Sequence, residues 1–431
     1  MKPGNLLLFF IQSTILLLLF NCEPKIDSLA DLYAERTIDT NRQRFYKQLI
    51  DQTIEQNLRK EIHDDHEEKW QGAFWGMGLA GYRSSVCDSA IPTGLNNFSE
   101  RSASFQRSLL EVIYGLYPDS YPGEIDRIVQ NISNKKIFAM GVEYLSRIQP
   151  GKKDQFIKIS EQKYSDVNSD PILIMLKKRL EKTKHSLPPI RELVTKAYDN
   201  KLVIFSFHRE NRNYAGLTII KKPNGEFLRN PDGSLFRISH LARSNSGLPS
   251  YITNGNTPEG IYSLQGTDIS DNVFIGPTPN LQLCLPFETS VANYFHKADK
   301  TDDQWRIDHY RKLLPESWQD YFPIYEAFYA GQAGRSAIIA HGTTINPLFY
   351  LDQSYYPFTP SLGCLTALEF WSEKNGECLY SEQLALIKNY RRFDSEGYLI
   401  LIDIDNQKSP VTISEVIDKV IRIEKMYVEN K

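Results

Sequence analysis

Five of six residues are apolar in the segment Leu202-Val203-Ile204-Phe205-Ser206-Phe207. A short apolar run rich in β-branched and aromatic residues is typical of a strand that is buried on both faces. The run follows Pro188-Pro189, and before that pair the apolar residues recur at the three- and four-residue steps of a helix. This change of pattern separates a helical part from a strand-rich part and predicts an α+β fold.

Further strands are predicted after this first run. Asn224-Gly225 and Asp232-Gly233 are hairpin-turn signals between apolar segments. Aromatic residues at helical spacing, from about 292 to 331, predict a helical insertion packed on or over the sheet. The remaining predicted strands are Gly216–Ile220, Phe236–Ala242, Ile261–Leu264, Ser336–Ala340 and Tyr398–Ile404.

The helical part is expected to span residues 22–198. Its clearest amphipathic segments are Phe105–Tyr117, Ile125–Ile132, Phe138–Ile148 and Ile172–Leu180. A patch from Trp70 to Met77, with intervening glycines, is interpreted either as core or as a partner groove. A chain of 431 residues can build two cores, and we expect the strand-rich domain at 199–408 and a C-terminal helix at 409–431.

The charge balance excludes one class of partner. The chain has 50 basic and 53 acidic side chains and a formal charge of −3. No basic run is long enough to favour nucleic acid. His63 and His66 share one helix face, but a third ligand is not evident, so a solvated face is favoured over a metal site.

The N-terminus predicts export. Lys2 precedes an apolar run, Leu6–Phe20, that is shorter than a membrane-spanning helix and typical of a signal peptide. Residues 1–21 would be removed, the alternatives being an ordinary cleaved signal or an uncleaved anchor, and each of these places the remainder outside the cytoplasm. The motif Leu19-Phe20-Asn21-Cys22 resembles the lipobox of bacterial lipoproteins, which implies lipidation at Cys22 and a membrane anchor, and Glu23 favours the outer membrane. We expect partners in the cell envelope.

A histidine and a cysteine near the C-terminal end each sit beside a glycine, in His341-Gly342 and Gly363-Cys364. A thiol acts as a nucleophile only as thiolate, and imidazole is its usual base. Glycine allows a substrate carbonyl to approach backbone N–H donors. In an exported chain the competing interpretation of Cys364 is a disulfide, most simply with Cys378.

The motif Thr257-Pro258-Glu259-Gly260-Ile261-Tyr262 resembles the strand that precedes the active site of the L,D-transpeptidase catalytic domain, the YkuD-like family. Ser246-Gly247 is similar to a strand end that this family places upstream. His341-Gly342-Thr343 and Ser361-Leu362-Gly363-Cys364 resemble its two catalytic segments, in the family's order. The resemblance covers about residues 200–408 and leaves the helical part unexplained.

The resemblance implies a cysteine acyltransferase that needs no metal or organic cofactor. Cys364 would attack the stem-peptide carbonyl before the terminal D-alanine and form a thioester. His341 would move the protons, with its imidazole held by the Gly342 carbonyl. The N–H groups of Gly363 and Cys364, and that of Leu362, are the expected oxyanion donors.

Four further residues are expected to bind substrate: Ser361, Leu362, Arg243 and Arg335. Either arginine would bind a peptide carboxylate. Leu362 replaces a second histidine of the family, which leaves activity open, and Thr366 stands where arginine or asparagine is common. The long aromatic loop before Cys364 is interpreted either as a lid over the thioester or as simple packing.

Two classes of function follow. The first is an envelope enzyme on peptidoglycan stem peptides, with an amine or water as acceptor. The second is a catalytically weak or inactive lipoprotein that binds peptidoglycan. In either case the helical part would be a scaffold or would bind an envelope protein.

Overall fold

The computed structural model describes residues 26–181, 185–297, 304–393 and 396–416. The predicted signal peptide, Cys22 and most of the predicted C-terminal helix lie outside these ranges. Among the described residues, no helix is both long and apolar enough to cross a bilayer.

The N-terminal part is helical, as its spacing predicts. Side chains of Ser84, Ser102 and Asn134 cap the helices that follow them by accepting backbone N–H bonds. The helices are α1 Asp39–Gln48, α2 Gln56–Leu58, α3 Glu67–Ala80, α4 Ser85–Asn96, α5 Ala103–Leu116, α6 Pro122–Asn131, α7 Lys135–Ile148, α8 Lys153–Lys163 and α9 Pro171–Glu181, with a wider π-helical segment, Leu49–Glu55, joining α1 to α2.

The strand-rich part forms a closed barrel of eight strands in the order β1-β10-β4-β5-β6-β7-β3-β2. Its pairs are antiparallel except for β1 with β10 and β6 with β7. The strands are β1 Leu202–Arg209, β2 Gly216–Lys221, β3 Ile238–Leu241, β4 Gly260–Asp268, β5 Asn280–Cys284, β6 Ile339–His341, β7 Leu365–Ala367 and β10 Gly397–Asp405, and β8 Glu369–Trp371 pairs with β9 Cys378–Ser381 in a separate hairpin.

Burial on both faces explains the apolar run of the first strand. In β1, Leu202 and Ile204 pack in one core cluster, together with the helix α14 Glu382–Tyr390. Val203 and Phe205 pack on the opposite face of the sheet. Because both faces of the sheet are covered, polar and apolar residues do not alternate along β1.

A helical segment lies between β5 and β6, where the aromatic spacing predicts one. It contains α11 Val291–Tyr294, α12 Ile307–Arg311 and α13 Glu326–Gln332. Tyr310 buries its hydroxyl, which donates to Ile324 O at 2.9 Å and accepts from Ile261 N at 2.6 Å. The short helix α10 Ile190–Thr195 packs in the same cluster as these residues. Helix α10 lies within the expected helical range but packs with the barrel, and the expected boundary at 198 stays a prediction.

The helical part and the barrel share a core. Leu248, Tyr251 and Ile252, in the loop between β3 and β4, pack among the buried residues of the helices. The Tyr251 hydroxyl donates to Glu143 of α7 at 2.8 Å, and Arg179 of α9 donates to the same carboxylate at 2.8 Å. The loop that leads to the Thr257 motif is therefore anchored in the helical part.

We expect Tyr251→Phe to lower the free energy of unfolding by about 1.5–3 kcal/mol, because a buried hydrogen bond to a carboxylate is lost. Urea unfolding followed by circular dichroism would measure the change. Tyr33→Phe is the matched control, since Tyr33 is more than half exposed. Equal stability of the two variants would contradict the anchoring role.

Candidate active site

Cys364 and His341 lie on neighbouring parallel strands. His341 ends β6, and Cys364 directly precedes β7. His341 pairs with Thr366 and Ala340 with Leu365, and Cys364 lies just outside this paired stretch. Among the described residues, no hydrogen bond joins the Cys364 sulfur to the His341 ring.

His341 is held as a neutral imidazole. Its side chain is 5% exposed, and Nδ1 lies 2.5 Å from the Gly342 carbonyl oxygen. A carbonyl only accepts, so Nδ1 carries the proton and Nε2 keeps its lone pair. Burial lowers the pKa of His341 to about 4, although the Gly342 contact acts in the opposite direction. The ring is therefore a free base at neutral pH.

Cys364 is a free, partly exposed thiol. Its Sγ lies 3.7 Å from the Ala337 carbonyl oxygen. Burial of the sulfur raises the pKa of Cys364, while the Ile339 N–H and the Arg335 guanidinium act to lower it. Cys378 is buried and also free, so the alternative of a disulfide between the two is not formed.

The turn before Cys364 requires glycine. Gly363 has φ +112°, and a Cβ there would collide with the Arg335 guanidinium and the Gly255 carbonyl. Thr257, the first residue of the transpeptidase-like motif, donates its hydroxyl to Gly363 O at 3.1 Å. The motif therefore supports the Gly363 turn directly.

Ser361 braces this turn instead of facing a substrate, which corrects the expectation for this residue. Its hydroxyl accepts from Gly363 N at 3.0 Å and donates to Cys364 O at 3.0 Å. The Gly363 N–H, an expected oxyanion donor, is thus already engaged by a side chain. In this conformation an oxyanion would depend on the other expected donors, Cys364 N–H and Leu362 N–H.

Arg335 does not present its charge to a substrate, and the expectation of carboxylate binding by this residue is wrong. Its buried guanidinium donates to the carbonyl oxygens of Ser250, Asn256 (2.7 Å) and Gly255 (3.0 Å). It joins the 250–256 loop to the Gly363 turn. Burial lowers its pKa to about 10, which leaves it charged at neutral pH.

Arg243 lies on the other side of the same loop. Its guanidinium stacks on the Tyr355 ring, 5.1 Å from the centroid, and contacts the position of Gly247. Among the described residues it forms no ion pair, and its Nε is buried without a partner. Substrate binding by Arg243 stays a prediction.

The aromatic loop before Cys364 is packed down on the helical part, which favours the packing interpretation over the lid. Tyr350 donates its hydroxyl to Leu79 O of α3 at 2.8 Å, and its ring packs at a tilt against Tyr355, with the ring centroids 5.6 Å apart. Thr366, where the family commonly has a longer polar residue, donates to Thr359 O at 2.7 Å and ties the end of this loop to β7.

Leu362 faces a cavity that the helical part completes. Leu362 is 48% exposed and lines a space of about 120 Å³ between α3, α5 and the Gly363 turn, which neither Cys364 nor His341 lines. The space holds about four water-sized groups. Its other walls are Phe74, Trp75, Gly78, Ser108, Glu111, Val112, Gly115, Leu116, Asn245, Ser246 and Asn254. The glycine-containing aromatic patch of α3 is therefore partly core and partly the wall of this cavity.

The sequence-based interpretation missed Glu369. This buried carboxylate accepts from Thr343 N at 2.8 Å and from Ser381 Oγ at 2.6 Å. A Cβ at Gly342 would overlap it, so the Glu369 carboxyl group packs against the Cα of Gly342. Burial raises the pKa of Glu369 to about 7. A single glutamate after the cysteine belongs to no motif, so the sequence could not predict that Glu369 lies next to the His341-Gly342 segment.

The raised pKa of Cys364 predicts slow alkylation at neutral pH. Below the thiol pKa the sulfur is protonated, so its reaction with iodoacetamide should keep accelerating above about pH 8.5, where a free cysteine levels off. Peptide mass mapping of labelled protein would measure the rate at Cys364, with buried Cys87 as internal control. A plateau below pH 7 would contradict a protonated resting thiol.

No protein-family model, no curated protein and no solved structure matches this chain. The site consists of one partly exposed thiol directly before β7, one neutral imidazole at the end of the neighbouring strand β6, and a glycine turn that contacts a buried guanidinium.

Proposed function

We propose that this chain is a cysteine acyltransferase of the cell envelope, with the chemistry of an L,D-transpeptidase acting on peptidoglycan stem peptides. The observation that carries the proposal is the placement of His341 at the end of β6 and of Cys364 directly before the neighbouring strand β7, with His341 Nδ1 bonded to the Gly342 carbonyl. That bond leaves Nε2 free to accept a proton. A neutral thiol needs such a base before it can act as a nucleophile.

In the proposed acylation, the Cys364 thiol gives its proton to His341 Nε2, and the sulfur attacks the carbonyl carbon before the terminal D-alanine. The bond to the D-alanine nitrogen breaks, and that amine leaves with the proton from His341. In the second half, an acceptor amine attacks the thioester and gives a proton to His341, which returns it to the departing sulfur. No metal or organic cofactor takes part in this scheme.

Two observations support the second class of function, a catalytically weak or inactive lipoprotein that binds peptidoglycan. Burial raises the pKa of Cys364, and the Gly363 N–H already donates to Ser361. Both reduce catalytic power, the first by protonating the nucleophile and the second by occupying an oxyanion donor. A lipoprotein that binds stem peptides and turns them over slowly, or that uses water as acceptor, is the second candidate.

Acylation by a carbapenem tests the proposal, because these compounds acylate the cysteine of L,D-transpeptidases. Intact mass spectrometry of the purified chain should show one adduct of the carbapenem mass, and Cys364→Ala should show none. Cys284→Ala is the matched control and should be acylated, since Cys284 is buried away from the catalytic turn. No adduct on the wild type, or an equal adduct on Cys364→Ala, would refute the enzyme.

The cavity beside Leu362 supports a role for the helical part as one wall of the substrate site. Gly78 of α3 lines this cavity and a Cβ there meets no atom within 4 Å, so a larger side chain would extend into the space. We expect Gly78→Leu to slow acylation by a tetrapeptide about tenfold or more, equivalent to ~1.4 kcal/mol of transition-state stabilisation.

Gly72→Leu is the control for this variant. Gly72 lies on the same helix with equal space around it, but it does not line the cavity. Both substitutions raise helix propensity, so a difference between them reports the cavity and not the helix. Equal rates of D-alanine release by the two variants would exclude the helical part from the substrate site.

A further inference from the structure

The first described residues of the chain are fixed against the β8–β9 hairpin. Ala34 N donates to Gly376 O at 2.9 Å, and Cys378 N donates to Leu32 O at 3.2 Å. Ile26 is buried in a small core cluster together with Leu32, Ala34, Trp371, Cys378 and Leu384. The chain therefore enters the fold at one defined point, beside this hairpin and the helix α14.

The predicted lipid on Cys22 limits how far this entry point can lie from a bilayer. Cys22 and Ile26 are four residues apart. Four residues of fully extended chain span about 14 Å, whereas a folded unit of about 400 residues has a radius of gyration of roughly 21 Å. The link is shorter than the body that it holds, so the face of the protein around Ile26 would lie against the bilayer.

That face contains a groove with a volume of about 830 Å³. Asp27 and Leu29, directly after the entry point, form one wall, and Tyr380 at the end of β9 adjoins them. Basic side chains line the groove along the end of α14 and the turn that follows it, namely Lys388, Arg391 and Arg392.

The groove carries an excess of positive charge. Asp27 is the one acidic residue among those that line it, against three basic ones. Arg391 donates to Thr267 Oγ1 at 3.0 Å, and Arg392 donates to the side chain of an asparagine in α14 at 3.1 Å. Among the described residues, neither these two arginines nor the exposed Lys388 is held in an ion pair.

Carboxylates beside the groove are held by other donors. Glu382 accepts from Ser239 N at 3.0 Å and from the Tyr380 hydroxyl at 3.2 Å. Asp31 accepts from two backbone N–H groups of its own turn. Neither carboxylate lines the groove. The three cations are therefore available to phosphate groups from outside the protein.

Exposed apolar side chains extend from the groove onto the hairpin. Phe370, Leu379 and Tyr380 are all exposed, and Leu379 to 60%. The Phe370 and Tyr380 rings lie 5.9 Å apart. Tyr33, which is also exposed, forms an isolated β-bridge with Glu377 of the same hairpin region. Aromatic and basic side chains together are typical of a surface that meets lipid headgroups.

We propose that the face formed by residues 27–33, the β8–β9 hairpin and α14 is a membrane-contact surface. Lys388, Arg391 and Arg392 bind the phosphates of anionic lipids, and the exposed side chains of the hairpin enter the headgroup region. The surface sets the orientation of the barrel on the bilayer, while the lipid on Cys22 supplies the attachment. The proposal rests on that predicted lipid and not on the chemistry of Cys364.

Co-sedimentation with vesicles tests the surface without the anchor. The chain from Glu23 onward lacks the signal and Cys22 but keeps every described residue. We expect it to bind vesicles of equal parts phosphatidylglycerol and phosphatidylcholine, and to bind them more weakly as sodium chloride is added, because salt screens exposed charges. Replacing the three cations together, with Lys388→Gln, Arg391→Gln and Arg392→Gln, should weaken binding about tenfold or more, because each contributes near an anionic surface.

The matched control removes three exposed charges from the helical part, with Lys69→Gln, Lys152→Gln and Lys158→Gln, and should bind as the wild type does. Leu379→Ser leaves the charge unchanged and should weaken binding through the lost apolar contact. Circular dichroism spectra and melting temperatures matching the wild type would show that the variants fold.

The proposal is overturned by the absence of binding to the mixed vesicles, by equal binding to vesicles of phosphatidylcholine alone, by equal loss in the two triple variants, or by full binding of Leu379→Ser. A dimer in solution that Leu379→Ser dissociates would assign the surface to a second copy of the chain and would also overturn it. The tested chain carries no lipid and keeps Cys364, so none of these results depends on lipidation or on acyl transfer.

Discussion

The buried guanidinium of Arg335 is the interaction on which the site depends. Its hydrogen bonds gather three carbonyl groups of the 250–256 loop, and its edge lies where a side chain at Gly363 would have to go. A planar group with several donors can hold a loop and a turn at once, which a lysine in the same place could not do. Its charge also favours the thiolate of Cys364 without contacting the sulfur by hydrogen bond.

The same loop connects the three parts of the molecule. Tyr251 enters the core of the helices, Thr257 donates to the Gly363 carbonyl, and Glu259 directly precedes β4 of the barrel. The helical part therefore contributes to the structure of the barrel, since it anchors the loop between β3 and β4 and also forms one wall of the cavity beside Leu362. Changes in that loop would reach the thiol through backbone hydrogen bonds.

Prediction from sequence succeeded where local pattern and burial agree. The apolar run of β1 and the helical segments such as Phe138–Ile148 are both observed, because periodicity reports which faces are covered. Strands β5 and β7 were missed, since Asn280–Cys284 contains polar residues and Leu365–Ala367 is very short. Arg335 and Ser361 were assigned to substrate because residue type alone does not tell which way a side chain turns. Both face inward, toward backbone groups that need partners.

By itself the sequence determined the division into helices and strands and the order of the His341 and Cys364 segments, because both depend on neighbours along the chain. Only the tertiary structure decided that Glu369 packs against Gly342 and accepts from the Thr343 N–H, that Arg335 is a brace, and that Glu259 Oε1 is left without a donor. These outcomes depend on contacts between residues that are far apart in sequence. Such contacts form only when the loop between β3 and β4 packs between the barrel and the helices.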